Sequence, residues 1–363
     1  MRRIVLILST FALFQFSTQI AKAQIKDVAN MLSGSTADAE KLFQAYLKPY
    51  ANALGANLNG GWYNTAKTHK LGGFDLTFSV SASFVPQADK TYDPSKLGLT
   101  GTPAVGVAQT VAGANKTGVN INYPIGNKSM QVATPKGTGL GIIPSPMLQL
   151  GIGLIKETDV TVRYLPTFNL GDYGSIGMWG VGVKHSLKQW IPGIKMAPFF
   201  HLSVFGGYTQ LKTDLNLNFQ PEFYVNQPQL QAINNTTDIY NNQKMQLIAK
   251  GFTGNVLASF DFPVICIYAG VGFSNTNTNL SLKGNYPLAA LETTGVDVGK
   301  IVVKDANKLT DPINIEMKSM DGSKTKPRLN GGVRFKFAIM TLHFDYTYAN
   351  YSVATAGLGI SFR

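Results

Sequence analysis

From Gly73 to Val85 the apolar residues Phe74, Leu76, Phe78, Val80, Ala82 and Phe84 alternate with Asp75, Thr77, Ser79, Ser81 and Ser83. Strand side chains alternate between two faces, so this segment presents one apolar and one polar face. The pattern recurs in pairs of segments joined by short turns. Met147 to Ile155 and Asp159 to Leu165 meet at Lys156-Glu157-Thr158, and Ile176 to His185 and Met196 to Tyr208 flank Trp190-Ile191-Pro192-Gly193. Leu247 to Phe260 and Val264 to Phe273 meet at Asp261-Phe262-Pro263. Leu329 to Phe337 and Thr341 to Tyr348 meet at Ala338-Ile339-Met340, and Ser352 to Phe362 closes the series. That predicts ten strands. Asp214 to Phe219, Asn279 to Lys283 and Ile313 to Met317 could raise the number to twelve or fourteen.

Between these pairs lie 86–146, 166–175, 209–246, 274–328 and 349–351, three of them very long and rich in Asn, Thr, Gly and Pro. Short turns on one side and long loops on the other are the asymmetry of outer-membrane barrels. The predicted fold class is therefore all-β, an antiparallel transmembrane β-barrel of about 10–14 strands. A secreted β-sandwich is the alternative, and its strands would be shorter and less tightly turned.

Residues 37–54 follow a different period. Leu42, Phe43, Tyr46, Leu47, Tyr50 and Leu54 fall on one helical stripe, Ser35 is placed to cap the start, and Gly55 marks the expected end. Pro49 is an expected kink. This amphipathic helix would plug the barrel or sit on its periplasmic mouth, and it sets off 24–72 from a barrel over 73–363.

The first residues carry an export leader: Arg2 and Arg3, an apolar run from Ile4 to Phe16, and Ala21-Lys22-Ala23 before Gln24. Residues 1–23 are expected to be cleaved. Export places the chain at the cell outer membrane, with outer-membrane lipid, lipopolysaccharide and the barrel assembly machinery as expected partners. The chain has 32 basic and 20 acidic residues, a net charge of +12, with Arg2, Arg3 and Lys22 in the leader. Basic residues are not clustered with aromatics, so nucleic acid is not an expected partner. Charged residues make up only 14%, as expected when the outside of a barrel is apolar and its inside polar. The lone Cys266 excludes an intrachain disulfide, and no metal or cofactor pattern is present.

Alternation also sorts the chemistry. A basic residue on the lipid face costs about 2–4 kcal/mol at the bilayer midplane, so Arg163, Arg334 and Lys336 should face the lumen, as should His343 and Asp345. His201 and Ser203 share a strand face, as a hydrolase at a barrel wall would need, but no orienting third group accompanies them. Trp62, Trp179, Trp190, Tyr346, Tyr348 and Tyr351 are candidates for interfacial aromatic girdles.

The last strand ends on Phe362-Arg363, which resembles the C-terminal assembly signal of outer-membrane barrels. Tyr46-Leu47-Lys48-Pro49, the stretch from Asn59-Gly60-Gly61-Trp62-Tyr63-Asn64-Thr65-Ala66 to His69-Lys70-Leu71-Gly72-Gly73-Phe74-Asp75, and the later Met-Leu-Gln-Leu-Gly-Ile-Gly-Leu and Val-Thr-Val-Arg-Tyr-Leu-Pro strands together resemble a family of uncharacterised Bacteroidota barrel proteins. In architecture the chain is similar to the long-chain fatty acid transporter (FadL-like) barrels, which have an N-terminal plug and fourteen strands. The resemblance implies no enzymatic activity. The expected function is passive transport of a small solute, a hydrophobic ligand included, gated by residues 24–72. The alternatives are a surface-binding barrel with a closed lumen and an outer-membrane lipid hydrolase.

Overall fold

The computed structural model describes residues 30–125, 128–221, 230–234, 238–296, 298–317 and 325–362. The leader 1–23 and Arg363 lie outside them. Among the described residues ten strands close into one antiparallel barrel. They are β1 (Phe74–Phe84), β2 (Ile142–Leu154), β3 (Thr158–Asn169), β4 (Gly174–Ser186), β5 (Phe200–Asn216), β6 (Lys244–Asp261), β7 (Ile265–Lys283), β8 (Thr325–Phe337), β9 (Met340–Tyr348) and β10 (Val353–Phe362). Each pairs with its neighbours in sequence, and β1 closes on β10, with Phe74 opposite Phe362 and Ser83 opposite Val353. Closure leaves no edge strand with unpaired backbone groups, which lipid cannot satisfy.

The additional candidate strands are extensions of this wall. Asp214 to Asn216 continue β5 and Asn279 to Lys283 continue β7, while Ile313–Met317 pairs with β7 at Thr278 to Leu282. The wall of β5, β6 and β7 therefore stands taller than that of β1, β9 and β10. One end of the barrel has brief connections at 155–157, 262–264 and 338–339. The fourth, 187–199, where a short connection was expected, holds two short helical turns, Lys188–Trp190 and Pro192–Lys195. The described parts of the long segments 85–141, 217–243 and 284–317 gather at the other end.

The outside is apolar. Leu76, Phe78 and Val80 of β1, Leu148, Leu150 and Ile152 of β2, and Leu358, Ile360 and Phe362 of β10 are all exposed, while Thr77, Ser79, Ser81 and Ser83 are buried inside. Eleven residues of β1, rising ~3.3 Å each at a tilt of ~40°, reach about 25 Å, the height of a lipid-facing band. Aromatic pairs mark its rims. Phe74–Phe362, Phe199–Phe262 and Phe200–Phe260 lie at the short-turn end, and Trp179–Tyr208 and Phe252–Phe273 toward the long loops. Beyond Phe273 the outward residues become polar at Asn275 and Asn277. Among the described residues no helix is long and apolar enough to cross a membrane.

Helix α1 (Thr36–Asn59) packs against β1, β2, β5, β6 and β7, walls on opposite sides of the ring. It therefore stands inside the long-loop half of the barrel. Ser35 caps it by accepting from the Asp38 N–H at 3.1 Å. The helix continues through Gly55 to Asn59, about one turn past the expected end, where the barrel wall supplies partners for the extra turn. Leu42, Phe43, Tyr46 and Leu47 are buried and Tyr50 half-buried. They pack with Leu247 and Ala249 of β6, Leu280 and Leu282 of β7, Ile313, Ile315 and Met317, and Ile121, Tyr123, Met130 and Val132 of the first long loop. Each such side chain contributes about 1.5–3 kcal/mol by leaving water.

The long loops fold over this core as a cap. Asn120–Ile125 pairs with Lys128–Ala133 and Thr102–Pro103, and Ile301–Lys304 with Ala289–Leu291 and Leu230–Asn234. The Asp38 carboxylate ties helix to cap by accepting from the Thr100 and Gly101 amides and the Thr100 hydroxyl at 2.8–3.1 Å. Burial pushes its pKa up, but these donors outweigh it and hold the carboxyl below the usual range. The Tyr351 hydroxyl, in the β9–β10 connection, donates to Asp89 at 2.5 Å. Tyr351 is thus a cap residue and not part of a girdle.

The start of the helix lies against the long loops, with Asp38 bonded to Thr100 and Gly101. From the capped end the described chain descends the lumen as α1 and then as residues 60–72, and leaves at the short-turn end to begin β1. Of the two placements expected for this helix, plugging the barrel is the one its contacts match, since its apolar stripe packs between the tall wall and the cap.

Candidate functional site

The short-turn half of the lumen is polar and is occupied by residues 60–69, each level of which is held by the wall. At the top, Arg163 of β3 is completely buried. It donates to the Leu58 carbonyl at 3.0 Å, the Gly60 carbonyl at 2.7 Å and the Gln149 Oε1 at 3.2 Å, and its guanidinium lies 3.6 Å over the Trp62 ring. From the opposite wall Arg328 donates to the Asn59 carbonyl, to Thr253 Oγ1 at 3.1 Å and to Thr347 Oγ1 at 3.2 Å. The last carbonyls of a helix lack internal partners and carry the negative end of its dipole. Two arginines at this point satisfy both needs.

One level lower Trp62 and Tyr63 turn into the wall. Trp62 packs on Phe205 at 5.4 Å between ring centres, and Tyr63 lies 5.4 Å from Phe205 and 6.5 Å from Tyr268. Gly182 and Gly207 make room, since a Cβ at either would meet Phe205 and Trp62. Trp62 therefore belongs to the lumen and not to a girdle; Trp179, Trp190, Tyr346 and Tyr348 are exposed. The Tyr63 hydroxyl donates to Asn330 Oδ1 at 2.8 Å.

Below this, Arg334 of β8 donates to Asn64 Oδ1 at 3.1 Å and pairs with Asp261 at 3.2 Å. Asp261 also accepts from the Thr65 hydroxyl at 2.9 Å and the Ser259 hydroxyl at 2.5 Å. The Ser203 hydroxyl donates to the Ala66 carbonyl at 2.5 Å. At the short-turn exit Lys184 donates to the Lys67 carbonyl and pairs with Asp159, both at 3.0 Å. His69 places Nδ1 3.0 Å from Asp159 and Nε2 3.3 Å from Asp75. At these lower levels Arg334 and Lys184 are thus neutralised by carboxylates around the threaded segment, as low-dielectric surroundings favour.

The expected lumen residues divide accordingly. Arg163 and Arg334 face inward and clasp the segment. Lys336, on the same face of β8, is half-buried at the short-turn rim, and His201 is half-buried near the start of β5. His343 and Asp345 are both buried in the lumen, but neither ring nitrogen of His343 has a hydrogen-bond partner, while Asp345 accepts from the Tyr268 hydroxyl at 3.3 Å. Ser203 faces the lumen and is bonded to Ala66, so a Ser–His pair at the lipid face, the feature that a lipid hydrolase would need, is not formed by these residues. Among the described residues no group of three or more His, Cys, Asp or Glu is placed to hold a metal ion.

Sequence reasoning missed Arg328, because it fell in a predicted loop; β8 begins earlier, and Arg328 alternates in step with Asn330 and Arg334. Lys184 and Asp159 were legible as polar positions opposite Val183 and Val160. The role of His69 was not, since its partners come from strands 6 and 90 residues away.

Fold and lumen define a self-plugged β-barrel with the apolar outer surface of a membrane protein. The chain belongs to a family of unknown function, DUF6588, whose model matches residues 1–362. No curated protein matches it in sequence. Among solved structures it is similar to the outer membrane protease OmpT from Escherichia coli (6% identity, 84% of this chain and 100% of that one, TM-score 0.31). It is also similar to the Pseudomonas putida toluene transporter TodX (8%, 85% and 91%, 0.27) and to Ail, the attachment invasion locus protein of Yersinia pestis (8%, 80% and 98%, 0.25). At these scores none of the likenesses bears on the lumen.

Proposed function

We propose that the protein is an outer-membrane barrel closed by its own N-terminal segment, and that it works through the folded cap at its long-loop end. The observation that carries this reading is the continuous set of contacts from Leu58 to His69, which fills the lumen with polypeptide bonded to β3, β4, β5, β6 and β8. A cap with its own apolar core is a surface suited to binding, since rigid loops present a fixed set of side chains. Outer-membrane lipid and lipopolysaccharide surround the apolar band, and the barrel assembly machinery receives the strand ending at Phe362. Gated passage of a small solute is the second reading. It is supported by the hydrogen-bonded character of the 60–69 contacts, which can be exchanged for water; a polar lumen suits polar solutes better than hydrophobic ones. The test is conductance of the full-length protein in planar bilayers. A silent protein is expected, and sustained channel openings would refute the closed barrel.

A further inference from the structure

Beyond the Trp179–Tyr208 pair the outer wall of β3 to β6 carries a groove of about 290 Å³, open to solvent. A bulge makes it. The ladder of β3 and β4 shifts register between Leu165 and Phe168, so that Thr167 and Asn169, which strict alternation from Arg163 would turn into the lumen, share the outer face with Ser175, Trp179 and Val181. Asp214 and Asn216 of β5 and Lys244 of β6 complete the lining. Gly174, at φ +123°, keeps the groove clear, since a Cβ there would strike the Asp214 carbonyl.

Height and charge select what fits this groove. Ser175 lies four residues beyond Trp179 on β4, which at ~3.3 Å per residue and a tilt of ~40° places the groove about 10 Å above the aromatic rim. Phospholipid headgroups extend only roughly 5–8 Å past the hydrocarbon, so a lipid must carry sugars to reach it. Lower on the same wall Lys250 stands opposite Gln210, which is itself opposite Trp179, and Lys212 is the diagonal neighbour of Lys250 across β5 and β6, about 7–8 Å away. The acids of this face are already engaged. Asp214 accepts from Gln246 at 2.8 Å and Glu316 from Asn277 at 2.5 Å. Among the described residues neither Lys244 nor Lys250 forms an ion pair, and the exposed Lys212–Asp214 contact, at 3.9 Å, is of the weak surface kind.

We infer that this wall binds the phosphorylated sugar headgroup of an outer-leaflet glycolipid, the anchor of lipopolysaccharide, with Lys250 and Lys212 holding a phosphate at the aromatic rim and Thr167, Asn169, Ser175 and Lys244 bonding the sugars above it. Val162, Val181 and Val256 are exposed on the same face below, so the lipid band and the headgroup site form one continuous surface. The inference rests on the chain being an outer-membrane barrel with its long-loop end outward.

Native mass spectrometry of the full-length protein in detergent micelles tests it, with diphosphoryl lipid A, lipid A stripped of both phosphates, phosphatidylglycerol and inorganic phosphate as probes. Diphosphoryl lipid A should bind about tenfold tighter than phosphatidylglycerol, and removing its phosphates should cost a similar factor, the loss of one charge-assisted contact. Lys250→Glu should weaken lipid A about tenfold, as should Ser175→Trp, which fills the groove, whereas Lys188→Glu at the short-turn end should leave binding unchanged. Heat-modifiable gel mobility establishes that the variants are folded. Equal binding of lipid A and phosphatidylglycerol, competition by inorganic phosphate at equal concentration, lipid A binding untouched by both Lys250→Glu and Ser175→Trp, or no binding at all would each overturn the inference. Cysteine labelling on intact cells separates the site from the reading beneath it. Absent lipid A binding with an outward long-loop end removes this site and leaves the outer-membrane barrel standing, whereas labelling at Thr158→Cys alone removes the orientation and the inference with it.

Discussion

Arg163→Ala is the most direct perturbation of the plugged lumen. The substitution orphans the Leu58 and Gly60 carbonyls, which Arg163 reaches at 3.0 and 2.7 Å, in a place where the replaced side chain was completely buried. Each unmet carbonyl costs about 1–3 kcal/mol, and the desolvated stacking on Trp62 is worth about 2 kcal/mol. Against this, the variant no longer buries a guanidinium, which returns several kcal/mol. The net loss falls at about 2–5 kcal/mol. It is a local loss, because the β3 ladder to β2 and β4 is untouched, so the barrel persists while the segment below α1 opens roughly 30- to several-thousand-fold more often. Acrylamide quenching of Trp62, with Trp179 and Trp190 replaced by Phe, reads the opening, and planar-bilayer recording reads its consequence. Quenching should rise and brief conductance events appear. Arg163→Lys, which keeps charge but cannot bridge two carbonyls, should fall between. A folded Arg163→Ala protein that is as unquenched and as silent as the parent would refute the assignment of Arg163 as the clasp.

Further outcomes follow from the same geometry. In a Cys266-free background, Ala37→Cys and cysteines in 86–125 should react with an impermeant thiol reagent on intact cells while Thr158→Cys should not; labelling of Thr158→Cys without envelope damage would invert the topology. Deleting residues 26–58 behind the leader should leave a folded but leaky barrel, and unchanged permeability would show that α1 does not help close it. Removing Ser361 to Arg363 breaks the Phe74–Phe362 stack and the end of the closing pair, so little folded barrel should accumulate, as heat-modifiable mobility would report. Asp38 is held below its ordinary pKa, so its stabilisation of the cap is present above about pH 3.8 and is lost as pH falls through the lower folded value. Protease resistance of the cap should fall over that acid range, and Asp38→Asn should lower it at neutral pH and flatten the dependence. Gly55→Ala should destabilise despite its helix propensity, because the new Cβ would overlap the Thr276 side chain, and Thr276→Ala should restore the loss.

What the sequence alone determined is whatever depends on a period. The two-residue alternation of β1, β2, β9 and β10 settles which face meets lipid, because a slip of one residue would put Ser79 and Arg163 outside and Phe78 inside. The helical stripe from Leu42 to Tyr50 likewise carries its own geometry, and Ser35 its own cap. Ten strands and their short turns were legible for that reason. The route of the N-terminal segment was not. Local propensity makes α1 a helix but says nothing of which end of the barrel it enters, and that is decided by the tall wall of β5 to β7 and by the cap residues that complete its core. The lumen partners depend on the same closure. Arg163 with Gly60, Arg328 with Asn59 and Arg334 with Asn64 lie 103, 269 and 270 residues apart, and nothing in either member names the other until the ring closes and leaves the helix end no water to bond.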